Sequence, residues 1–136
     1  MKITDKSHLD HGLSARLVAL IAEKYADRKA FFIDSFNIPE DEPPVSCALL
    51  DSVPEHLVFY RQRAGRKTWT RLCALPPRKS SIVTVIAGPS GDEPCVLYTA
   101  YGGPLAPREP GDADIRTAED AAASFVFWRT HALSEQ

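Results

Sequence analysis

Residues 81–101, SIVTVIAGPSGDEPCVLYTAY, constrain the fold more than any other stretch. Two apolar runs rich in β-branched and aromatic residues flank GPSGDE, a loop of turn-forming residues, so the segment reads as an antiparallel strand pair. Alternation along the second run sets Cys95, Leu97, Thr99 and Tyr101 on one face and Val96, Tyr98 and Ala100 on the other. Gly102-Gly103 then permits the sharp exit that a side chain would obstruct. PLAPREP follows, with Pro104, Pro107 and Pro110 at the three-residue repeat of polyproline II. Its prolines would line one edge of a stiff rod, with Arg108 and Glu109 projecting from the others.

Around this centre the pattern is simple. Leu13, Leu17, Leu20, Ile21 and Tyr25 recur at helical spacing, and Ser14 is placed as an N-cap, which predicts a helix over about residues 14–26. AFFIDSFNI and VSCALL read as strands, separated by the proline-broken loop PEDEPP. HLVFYRQRAGRKTWTRLC reads as a hairpin turning near Ala64-Gly65. Thr117 and Asp120 form a capping-box pattern before a helix in which Phe125, Trp128 and Ala132 share a face. Consecutive strands without intervening helices predict an α+β fold, an antiparallel sheet of about five or six strands with the N-terminal and C-terminal helices packed on one face. The expected plan is a single domain over 1–136, with a helical element at about 7–26, the sheet at about 31–101, the arm at 102–112 and the last helix at about 117–132.

With 136 residues the chain is long enough to bury a core without staples. Its net charge of −2 excludes a polycation that holds nucleic acid by overall charge, so any such role needs a local basic patch. No apolar run reaches the roughly 18–20 residues that span a bilayer, and the start, MKITDKSHLDHG, is too polar for a signal peptide. The expectation is therefore a cytoplasmic protein without membrane attachment. Cys47, Cys73 and Cys95 are too widely spaced for a CxxC element and read as small core residues in a reducing compartment.

Three groups could carry chemistry. In HLDHGL, His8 and His11 are three apart and could share an edge of one helical turn; either could act as general acid or base, or be solvated or pack at the start of the helix. No HExxH element follows and no cysteine lies nearby, so neither a metal nor another cofactor is implied. The run 61–79 holds Arg61, Arg63, Arg66, Lys67, Arg71, Arg78 and Lys79 with no acidic residue, and Tyr60 and Trp69 lie beside or within it. Such a patch suits phosphates and stacked bases, although basic side chains also protect exposed sheet edges from association. Thr99 is a hydroxyl in an apolar row, able to orient a phosphate oxygen or simply to form strand. The arm could dock a charged pair over a pocket or merely connect the sheet to the last helix.

DHGLS, PPRKSSIVTVIAGP, CVLYTAYGGPLAPREPGD and FWRTHALS together resemble a family of small bacterial proteins to which no activity is assigned. HLDHGL also resembles the opening of the superfamily of metal-independent ribonucleases that groups barnase, EndoU, the tRNA-cleaving colicins and RelE-type toxins. That resemblance implies transesterification at RNA phosphorus without a metal. His11 would serve as base or acid, Arg78 or Arg108 would stabilise the phosphorane, and Thr99 and Tyr101 would orient it. Arg61, Arg63, Arg71 and Trp69 would hold the RNA, with His56 and His131 as further histidines. The alternative is a non-catalytic module that binds RNA or a protein through the hairpin of 61–79 and the proline-rich arm.

Overall fold

A computed structural model describes residues 1–62 and 68–135. In chain order the elements are β1 (His8–Leu9), α1 (Ala15–Lys24), β2 (Phe32–Asn37), β3 (Val45–Cys47), β4 (Leu49–Asp51), a 3-10 turn (Glu55–Leu57), β5 (Val58–Gln62), β6 (Trp69–Cys73), β7 (Arg78–Ser80), β8 (Ile82–Ser90), β9 (Glu93–Gly102), α2 (Ala118–Trp128) and β10 (His131–Ser134). They fall into two compact units, one of residues 1–47 and 79–105, the other of 48–78 and 106–136. The α+β class holds. The expected single antiparallel sheet is corrected to two four-stranded sheets and a β3–β7 pair, with strands in both orientations.

In the first unit the sheet runs β1-β9-β8-β2. The strand pair read from residues 81–101 is present as antiparallel β8–β9, and β2 pairs antiparallel with β8. Helix α1 starts where expected, with the Ser14 hydroxyl accepting from the Leu17 amide at 3.1 Å. Its residues at four-residue spacing, Leu17, Ile21 and Tyr25, pack with Phe32, Val83, Val85, Ala87, Leu97 and Ala100 as the core. Thr84, fully buried on the central strand, donates to the Gly103 carbonyl at 2.8 Å and meets the Ser35 hydroxyl at 2.8 Å, so its polar group is satisfied.

Two expectations for this unit are corrected. His8 and His11 do not share a helical turn: His8 lies on β1, in parallel register with Thr99, and His11 lies in the turn that follows. The alternation along β9 also breaks. Ile86 pairs with Thr99 but Ala87 pairs with Leu97, which leaves Tyr98 as the extra residue of a β-bulge. The bulge resets the phase, so Cys95 and Leu97 share the core with Ala100 rather than with Thr99 and Tyr101.

Tyr25 closes this core with a polar tip, its phenol donating to Asp34 at 2.9 Å. Burial raises the pKa of that phenol above its ordinary value, and the hydrogen bond to Asp34 raises it further. An acid whose folded pKa exceeds the unfolded value of about 10 contributes stability fully below that pH and loses it as pH rises through the folded value. Stability from urea melts is therefore expected to fall more steeply above about pH 10 in the wild-type protein than in Tyr25→Phe. Parallel curves for the two proteins would contradict this account of Tyr25.

In the second unit the sheet runs β4-β10-β6-β5. Strands β5 and β6 form the expected hairpin; its turn at Ala64-Gly65 lies outside the described residues. Helix α2 is capped by the Thr117 hydroxyl, which accepts from the Asp120 amide at 3.0 Å. It ends at Trp128 rather than near 132, because HALS forms β10, antiparallel to β4 and parallel to β6. That double pairing buries Ala132 completely and overrides the helical spacing of the sequence. Helices α1 and α2 accordingly belong to different units instead of covering one sheet face together. The arm lies along α2: the Trp128 indole N–H donates to the Pro107 carbonyl at 3.0 Å, and the Ser124 hydroxyl donates to the Arg108 carbonyl. Among the described residues, no helix is long and apolar enough to cross a membrane.

Candidate functional site

The residues singled out from the sequence are divided between the units. His11, exposed in its turn, and Thr99 and Tyr101, half-buried on β9, belong to the first. Arg78 and Arg108 belong to the second, as do Arg61, Arg71 and Trp69. Arg63, with Arg66 and Lys67, lies outside the described residues. His56 is exposed on the 3-10 turn. His131 is on a strand, where its ring stacks on Phe127 at 3.8 Å and its Nδ1 lies 2.8 Å from the Phe127 carbonyl.

Among the described residues, part of the basic run is paired with carboxylates. Arg61 is ion-paired to Glu135, and the Arg78 Nε donates to the Leu49 carbonyl at 3.1 Å. Arg108, exposed on the arm, faces Asp112 at 3.6 Å and Asp114 at 3.5 Å. Glu109 turns inward, buried, with its carboxylate accepting from the Thr70 hydroxyl at 3.2 Å. Of these two neighbours, Glu109 thus faces inward and Arg108 outward.

Arg71 differs from the other cations of the run. Strand β6 sets it inside the unit, and only 8% of the residue is exposed. Its Nε donates to the His131 carbonyl at 3.0 Å, which ties β6 to β10. One terminal nitrogen donates to the Tyr60 hydroxyl at 2.8 Å, and both terminal nitrogens face the Glu55 carboxylate as a fork. Hydrogen bonds from this guanidinium hold Glu55 below the usual carboxylate range, and the same contact holds Arg71 above its own. Glu55 reaches the fork from solvent, its side chain 74% exposed.

These groups line a cavity of about 690 Å³ within the second unit. Tyr60, Trp69 and Arg71 come from the β5–β6 hairpin, Glu109 and Pro110 from the arm, and Phe125, Trp128 and Arg129 from α2. Trp69 and Phe125 are each 62% exposed, whereas Trp128 is buried. The lining thus combines four aromatic side chains with two guanidinium groups and two carboxylates. Among the described residues, no group of His, Cys, Asp and Glu side chains gathers as metal ligands.

No protein-family model, curated protein or solved structure matches this chain.

The structure brings Arg71 and Trp69, two of the residues expected to hold a ligand, to one cavity with Glu109 of the arm's charged pair. Glu55, Phe125, Trp128 and Arg129 carry no such expectation from the sequence. Phe125 and Trp128 did carry a signal, their shared helical face, but sequence spacing directed that face to the sheet.

Proposed function

We propose that the protein is a binding module that takes a planar, ring-bearing ligand in the cavity of the second unit. The carrying observation is the convergence of Tyr60, Trp69, Phe125 and Trp128 on one cavity, in which Arg71, Glu109 and the Trp128 N–H hold hydrogen bonds. Exposed aromatic planes beside a void offer stacking to a flat ring, and the hydrogen bonds already made by Arg71, Glu109 and Trp128 lower the cost of covering those groups with one. This reading uses the hairpin and the arm, and asks no acid–base work of either. The cleavage reading rests on the resemblance of HLDHGL, and its four catalytic residues are shared between the two units.

One experiment separates the two. Benzamide, indole and adenosine are titrated into the wild-type protein by calorimetry, and total RNA is incubated with the wild-type protein and with His11→Ala. Binding of a ring compound, weakened about 10- to 100-fold in Trp69→Ala by loss of a stacking plane, is expected. RNA is expected to stay intact with both proteins. RNA cleavage that disappears in His11→Ala would overturn the binding reading in favour of transesterification, and failure of every ring compound, neutral or anionic, to bind would overturn it outright.

A further inference from the structure

We infer that the ligand of this cavity carries an oxyanion, and that Glu55 occupies its place on Arg71 when the site is empty. The inference rests on the binding reading above and adds the ligand's charged group. A guanidinium fork pairs two parallel N–H donors with the two oxygens of a carboxylate or phosphate, a match that a lysine could not make. Arg71 presents that fork from inside the unit, with its remaining donor capacity fixed on Tyr60 and the His131 carbonyl. Its acidic partner is of the opposite character: Glu55 sits on a three-residue 3-10 turn with its side chain mostly in solvent.

That asymmetry makes exchange inexpensive. A mostly exposed carboxylate that leaves the fork returns to water with little change in solvation. The buried guanidinium, by contrast, is stabilised by any anion that takes up its fork. An incoming oxyanion that replaces Glu55 keeps the charge balance of the cavity, and its ring then lies among Trp69, Phe125 and Trp128. Arg129 supplies a second guanidinium on the wall. A neutral ring compound gains only the aromatic contacts, and a cationic one would meet two guanidinium groups.

Calorimetry on the full chain tests this with benzoate against benzamide for a carboxylate, and with adenosine monophosphate against adenosine for a phosphate. In Glu55→Gln the internal competitor is lost, so affinity for the anion of at least one pair should rise about tenfold, as for a fork that Glu55 leaves open about a tenth of the time. The neutral member of each pair should be unaffected. Arg71→Lys, which keeps the charge but not the fork, should weaken the same anion and spare its neutral counterpart. Should that variant not fold, Glu55→Gln decides alone. A gain with benzoate, with the monophosphate or with both supports the inference and identifies the head group. If neither anion gains, or if neutral and anionic members bind alike in both proteins, the inference is overturned while the cavity remains a ring-binding site. If no compound binds, the underlying reading fails with it.

Discussion

Gly102→Ala is expected to destabilise the first unit by about 3 kcal/mol, the upper end of the usual overpacking range, read as a large fall in the urea midpoint by far-UV circular dichroism. A Cβ built on Gly102 would sit 2.1 Å from the Ser46 carbonyl oxygen and 2.7 Å from a Val45 methyl. The obstacle is backbone, so no rotamer change relieves it, and β3 would have to move off the end of β9. The neighbouring Gly103 has φ +106°, and its Cβ would meet the Cys47 sulfur at 2.4 Å. The pair thus does two different things: Gly102 admits a close approach of chains, and Gly103 adds a left-handed bend. A midpoint within experimental error of wild type for Gly102→Ala would show that β3 does not lie where the structure places it.

Trp128→Ala should cost the second unit about 3–5 kcal/mol, the range for removing a buried large aromatic side chain. Trp128 is 5% exposed and packs edge-on against Phe127, and its indole N–H holds the Pro107 carbonyl. Its removal opens a void on one side of the cavity and releases the arm from α2 on the other. The chain has two tryptophans, so Trp69 remains as the fluorophore for the urea melt. Trp128→Phe restores most of the volume without the N–H donor, and should recover most of the loss. Equal stability of the Ala and Phe variants would remove packing as the cause.

Local chemistry carried much of the fold into the sequence. Ser14 and Thr117 announce their helices because a side-chain oxygen before a helix satisfies an otherwise unpaired amide, and that requirement depends on only a few residues. The two antiparallel hairpins were legible for the same reason. What the sequence withheld depends on distant partners. Nothing within HALS distinguishes a strand from the last turn of α2 until β4 and β6 stand on either side of it. The bulge at Tyr98 is equally silent, because alternation is written as though every residue had one partner. The candidate site divides along the same line. Arg71, Trp69 and the charged pair of the arm could be singled out from type and position, whereas Glu55 becomes relevant only once remote segments are folded together.

The division of the chain bears on how it is made. Each unit is assembled from two separated segments, 1–47 with 79–105 and 48–78 with 106–136, so the segments alternate along the sequence. A ribosome delivers the first half of one unit, then the first half of the other, before either can be completed. Residues 48–78, including the hairpin with Trp69, must wait through the synthesis of 79–105 for β10 and α2. Pairing across such separations is slow, and during the delay apolar strand edges stand open to other chains.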